Sequence, residues 1–227
     1  MGVRNRLRWF AVRRLAAMPD RRGVKWLLRL QDRLYYFTLG VIKITEGDTH
    51  PRHRVTDAQP FFRAHIREGD CVLDVGSAYG HNAAAIADLA GHVTGIEVRA
   101  EAVERAQRER GRPNIDYRVG TFDALKPEES FDVVLLGNVL EHVADRQGFL
   151  AACRARGRRI IVRVPAIDRD WMIPYRQELG MRWKLHVDHE IEYTVDTLTD
   201  ELTRAGLTVT SCFSKYGAIH AVADRTA

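Results

Sequence analysis

From Cys71 onward the sequence alternates two patterns, and that alternation limits the possible folds more than any other feature. Short apolar runs at 71–75, 93–96, 115–119, 133–136 and 160–164 are separated by helical patterns at 81–90, 100–110 and 146–154. Strands apolar on both faces need cover on both, as in a parallel sheet with helices above and below. The expectation is an α/β fold, a doubly wound, Rossmann-like and mostly parallel sheet. Thr194 suits the cap of a last helix through about Ala205, with Asp196 in its first turn and Gly206 as its stop. Two further strands near 207–213 and 218–223 would bring the sheet to seven.

The first third reads differently. Residues 3–17 suggest a helix with an imperfect stripe of Val3, Leu7, Phe10 and Ala11. A second helix is clearer, because Leu27, Leu30, Leu34, Phe37, Val41 and Ile44 recur at spacings of three and four. That stripe is expected to be buried on the domain or in a homodimer. A turn-rich connector at 47–53 and a short helix over 56–66 follow. The division expected is a basic helical extension at 1–55 and an α/β domain at 56–227, with 170–193 as a lid or insertion.

Composition narrows the class of protein. With 227 residues, 45% of them apolar and 29% charged, the chain has an ordinary globular make-up. Its longest apolar stretches fall far short of the ~20 residues a spanning helix needs, and no secretory pattern opens the sequence. Three widely spaced cysteines without a CxxC pair point to neither a disulfide framework nor a zinc–cysteine cluster, and so to a reducing, cytoplasmic compartment. The net charge of +5 is unevenly placed. Residues 1–33 hold ten basic and two acidic groups, or +8, while the other 194 hold 25 basic and 28 acidic, or −3. The basicity belongs to the extension, so no nucleic-acid partner is expected. An anionic membrane surface, an anionic substrate and an acidic neighbouring subunit are the candidates for residues 1–33.

The chemistry is carried by the turns after the strands. The first strand runs into Asp74-Val75-Gly76-Ser77-Ala78-Tyr79-Gly80, where small residues let backbone approach a ligand. A dinucleotide GxGxxG would need glycines at 76, 78 and 81, but Ala78 and His81 stand there. The second strand ends at Glu97-Val98, 21 residues beyond Gly76, where a carboxylate suits ribose hydroxyls. Gly120-Thr121-Phe122-Asp123 follows the third strand, and Gly137-Asn138-Val139-Leu140-Glu141-His142 follows the fourth.

In this order and spacing the segments resemble class I S-adenosylmethionine-dependent methyltransferases, with Ala78 replacing the family's middle glycine. The resemblance implies S-adenosylmethionine as methyl donor and S-adenosylhomocysteine as product. It assigns Asp74, Gly76, Ser77, Ala78, Tyr79 and Gly80 to the cofactor turn and Glu97 and Val98 to the ribose. Thr121, Phe122 and Asp123 then fall to the adenine, and Gly137, Asn138 and Val139 to the methyl end. Glu141 and His142 match part of a metal-binding pattern in some ubiquinone-pathway O-methyltransferases, but Asn138 replaces a carboxylate of that pattern, so no metal is expected. The proline-containing tetrad of base-modifying nucleic-acid methyltransferases is missing after the fourth strand, as is the double-glutamate hairpin of protein arginine methyltransferases.

The C-terminal third bears on the acceptor. An aromatic stretch from Trp171 to Trp183, interrupted by Pro174, precedes His186-Val187-Asp188-His189-Glu190-Ile191-Glu192-Tyr193-Thr194. Together with His50-Pro51-Arg52-His53-Arg54-Val55-Thr56, this run resembles methyltransferases encoded with surface-polysaccharide and glycolipid genes. The expected activity is therefore O-methylation of a sugar or glycolipid hydroxyl, with His189 as general base and His142 as second choice. The alternatives are O- or N-methylation of a small natural-product or quinone-like acceptor, and a non-catalytic cofactor-binding partner protein.

Overall fold

The computed structural model describes residues 3–47, 51, 55 and 58–226, with the side chains of 3–5 excepted. Most of the connector at 47–53 and of the His50–Thr56 motif, and the expected start of the short helix at Thr56, lie outside the described residues. The chain divides into two compact units. One comprises the residues up to 53 together with Trp171–Trp183, and the other comprises 54–170 with 184–227. The 170–193 insertion is thus split between them.

The larger unit is built on a seven-stranded sheet ordered β3-β2-β1-β4-β5-β7-β6. Its strands are β1 (Cys71–Val75), β2 (His92–Glu97), β3 (Ile115–Val119), β4 (Phe131–Gly137), β5 (Gly157–Pro165), β6 (Leu207–Lys215) and β7 (Ala218–Arg225). The first five are parallel, and β7 runs antiparallel to both β5 and β6. Chain order reverses direction at β1, which pairs with β2 on one side and β4 on the other, so a crevice opens at the carboxyl ends of these strands.

Period-two burial explains why β4 reads as one apolar run. Val134 and Leu136 join a core with Leu73, Ile160, Leu198 and Tyr193, while Val133 and Leu135 join a second core with Phe62, Ile86 and Val103. Both faces of the sheet are covered, as the continuous apolar pattern requires. The covering helices are α3 (Ala58–Ala64), α4 (His81–Ile86), α5 (Ala100–Arg110), α6 (Arg146–Arg156) and α8 (Val195–Arg204). Thr194 accepts from the Thr197 amide, and Thr197 answers with a hydrogen bond from the Thr194 amide, a reciprocal cap that starts α8 where the sequence indicated. Helix α4 is shorter than the 81–90 pattern suggested. The Asn114 amide takes the Ala87 and Ala90 carbonyls at 2.7 and 3.1 Å, and Gly69 takes that of Leu89, so the chain leaves the helix after Ile86.

The smaller unit contains α1 (Val3–Ala16), α2 (Arg22–Glu46) and α7 (Met172–Glu178). Pro174 does not break this last segment. It sits in the first turn of α7, where an amide would have no intrahelical partner. Arg176 grips Asp32 through both terminal nitrogens at 3.0 and 2.9 Å, and Arg182 reaches the Tyr36 hydroxyl at 3.3 Å. These contacts and buried Leu28 occupy one side of α2. The Leu27–Ile44 stripe lies on another side and is exposed, from 38% at Leu30 to 87% at Ile44, so it is not covered within the helical unit. No described helix is long and apolar enough to cross a membrane.

Candidate cofactor and catalytic site

The turn between β1 and α4 alternates backbone hand. Gly76, Ala78 and Gly80 have φ of +66°, +48° and +77°, while the Ser77 amide bonds to Ile96 O at 3.0 Å and the Gly80 amide to Ser77 O at 2.8 Å. A side chain at Gly76 would bring a Cβ within 2.8 Å of Val139 Cγ2, and one at Gly80 would strike the Tyr117 hydroxyl. Ala78 occupies left-handed space that glycine enters freely, at a cost of about 1–2 kcal/mol to an alanine. Less the backbone entropy of a glycine, about 0.5–1 kcal/mol, Ala78→Gly is expected to stabilise the protein by roughly 1 kcal/mol and raise Tm by about 2–4 °C. Calorimetry checks this, and a lower Tm would show that the Ala78 methyl contributes packing that outweighs the strain.

Beyond the turn lies a cleft of about 190 Å³ at the ends of β1, β2, β3 and β4. Six of the residues named from sequence line it: Gly76, Glu97, Val98, Thr121, Phe122 and Val139. Val75, Ile96, Gly120 and Phe149 complete the wall, and Phe149 tilts against Phe122 with ring centres 5.4 Å apart. Nothing local in the sequence marked Phe149, which arrives on α6. Glu97 is the one carboxylate in the lining. It accepts the Ala78 amide at 3.1 Å and both the Arg99 amide and Nε, at 3.1 and 3.0 Å.

The other residues named from sequence surround this cleft without lining it. Asp74 and Ser77 are buried, and their side-chain oxygens find no hydrogen bond of ordinary geometry. Burial pushes the Asp74 carboxyl up to about 7; the Ala83 backbone amide partly offsets this, and the charge of Glu97 adds to it. Tyr79 does not line the cleft, and Arg105 and Arg99 lie 4.9 and 5.5 Å from its ring centre. Asp123 folds back onto Thr121, whose amide and hydroxyl donate to Oδ1 at 2.9 and 2.6 Å, and these bonds hold its carboxyl below the usual range. The set fits S-adenosylmethionine: one carboxylate among apolar walls, a glycine cradle that a Cβ would fill, and orphaned buried oxygens on Asp74 and Ser77.

At the end of β4 the chain turns through Asn138 in left-handed conformation, φ +63°, which asparagine tolerates better than most residues. Its amide bonds to Arg163 O at 2.8 Å, Arg163 donates to its Oδ1, and its Nδ2 donates to Glu141 Oε1 at 2.9 Å. Glu141 is fully buried, its carboxyl raised by that burial, and its carbonyl receives the amides of Glu190 and Ile191 at 2.8 and 3.4 Å. This backbone pairing fastens the 184–193 segment to the turn after β4 and brings the two candidate bases together. The His142 and His189 rings meet edge to face with centres 4.6 Å apart.

Each imidazole has an acidic neighbour. His142 Nδ1 lies 3.2 Å from Asp188 Oδ2, and His189 Nδ1 lies 3.2 Å from Glu192 Oε1. His189 is 3% exposed, and Glu192 is in turn held by Arg169 and the Leu185 amide. Burial lowers the His189 pKa, a protonated His142 would lower it further, and Glu192 opposes both. One donor atom each from Glu141, His142 and His189 lie within 4.8 Å of one another, a set able to hold a cation. Sequence reasoning stopped at Glu141 and His142 because the third donor comes from 47 residues downstream.

The family profile described as "Methyltransferase domain" matches residues 73–157. A ubiquinone biosynthesis O-methyltransferase of Rhodopseudomonas palustris strain BisB5 is 31% identical over 190 residues, covering 72% of this chain and 74% of that protein. The protein of the same name from Paramagnetospirillum magneticum is 36% identical over 127 residues, and there the chain spans about half the relative's length, 51%. Among solved structures, magnesium protoporphyrin IX methyltransferase from Synechocystis PCC 6803 with bound S-adenosylhomocysteine superposes with a TM-score of 0.62 at 15% identity, covering 87% of this chain and all of that one. The relatives named here offer no counterpart to the surface-polysaccharide resemblance. The sheet order, the cleft at its switch point and these relatives together place the chain in the class I S-adenosylmethionine-dependent methyltransferase family.

Proposed function

We propose that the chain O-methylates a phenolic hydroxyl on a quinone-like ring, with His189 as the group that takes the proton. The observation that carries this reading is the buried His189–Glu192 pair. Held in the cleft lined by Gly76, Glu97, Thr121 and Phe122, S-adenosylmethionine would supply an activated sulfonium methyl, which the acceptor oxygen would take in line as the methyl–sulfur bond breaks and S-adenosylhomocysteine leaves. A carboxylate only accepts hydrogen bonds, so Glu192 fixes the hydrogen on His189 Nδ1 and leaves the Nε2 lone pair for the acceptor. Arg169 and the Leu185 amide hold Glu192 in place, and with it the ring. Burial keeps the imidazole neutral at neutral pH, the form a base requires.

The same pair favours a phenol over a sugar. A phenol titrates near pH 10, within reach of an imidazole, whereas a sugar hydroxyl is far less acidic and gives up its proton to a neutral histidine only at much greater cost. The names of the aligned relatives support the same acceptor class. The test is release of S-adenosylhomocysteine by the full-length protein, with catechol- and hydroquinone-type acceptors bearing alkyl or prenyl chains run beside sugar and glycolipid acceptors. Turnover is expected on the phenolic set. Turnover confined to sugars would replace this reading with the glycolipid one.

A further inference from the structure

We propose that the exposed stripe of α2 is a docking surface for an anionic lipid bilayer. Trp26, Leu30, Leu34, Phe37, Val41 and Ile44 lie on one arc of the helix at 100° per residue, and each is exposed, Phe37 to 72% and Ile44 to 87%. Arg22, Lys25, Arg29 and Arg33 occupy the adjoining arc, so a continuous apolar face carries a cationic flank. That is the pattern of a helix lying in a membrane interface.

Charge decides which partner covers the stripe. Through residue 33 the extension carries ten basic and two acidic groups, and Asp32, one of those acids, is already paired with Arg176. A second copy of the chain docked on this face would bring two such cationic flanks together. A nucleic acid would match the charge but leave the stripe in water. An anionic bilayer satisfies both features, taking the apolar residues below its headgroups and the arginines among its phosphates. An open groove between α1 and α2, about 710 Å³ in volume, repeats the chemistry on a smaller scale. Its lining includes Leu15, Met18 and Trp26 with Arg22, Lys25 and Arg29, against the single acid Asp20.

The experiment is co-sedimentation of full-length protein with phosphatidylcholine vesicles, with and without phosphatidylglycerol. The protein is expected to pellet with the anionic vesicles at low ionic strength and to be released as salt shortens the Debye length. Arg29→Gln with Arg33→Gln should weaken that binding roughly thirtyfold, and Leu34→Glu with Phe37→Glu tenfold or more. All four side chains are exposed, and an unchanged melting curve and cofactor affinity would verify that the variants fold. Failure to pellet, or pelleting that neither variant weakens, overturns the proposal. So does a dimer seen by light scattering that Phe37→Glu splits while vesicles remain unbound.

Discussion

Replacing His189 by alanine is expected to lower kcat by roughly 10² to 10⁴, the usual contribution of a positioned general base, while leaving affinity for S-adenosylmethionine near wild type. His189 does not line the cofactor cleft, which is why the two effects should separate. The pH profile gives a readout that lost packing alone would not move. Because burial lowers the His189 pKa, the base form persists below the ordinary imidazole range, and the acid limb of kcat should lie on the acidic side of about 6.5. Glu192→Gln removes the carboxylate that opposes this shift, so its acid limb should move further down in pH, with a smaller loss of kcat than in the alanine variant. Wild-type turnover in His189→Ala would end the assignment, and a comparable loss confined to His142→Ala would transfer the role to that residue.

Gly76→Ala should all but abolish cofactor binding. The new methyl meets Val139 Cγ2 at 2.8 Å in the wall of the cleft, and the backbone stands at φ +66°, so steric and conformational costs fall on one residue. The left-handed conformation costs about 1–2 kcal/mol and the overpacking about 1–3 kcal/mol. Calorimetric titration with S-adenosylhomocysteine measures the lost affinity, and thermal melting measures the cost to the fold. Adding Val139→Ala removes the collision but leaves the strained backbone, so the double variant should recover part of the stability. If the single variant binds as wild type does, the turn is not the cofactor cradle.

Much of the fold was legible because the signals were local. The run at 133–136 announced a strand covered on both faces, and Thr194 announced the cap of α8. Six cleft residues were equally legible, because the turns after β1 to β4 converge on one edge of the sheet whatever else the chain does. Three facts were not local. Glu192 was an anonymous acid until the Glu141 backbone pairing folded 184–193 beside His142. Arg99 lies two residues beyond Glu97, but its hold on that carboxylate depends on how the chain leaves β2. The α2 stripe has the spacing of a buried face, and spacing alone does not say whether protein or solvent faces it.

The helical unit draws on two separate stretches of sequence, and that discontinuity limits how the protein could be shortened or inherited. Its C-terminal portion, 171–183, is enclosed within the chain of the sheet unit. Removing α1 and α2 would therefore leave α7 behind, with Arg176 stripped of Asp32 and Arg182 of Tyr36. The two stretches form a matched pair. An exchange of N-terminal segments between relatives would succeed only where 171–183 travelled with them, and acidic residues at position 32 and arginines at position 176 should change together.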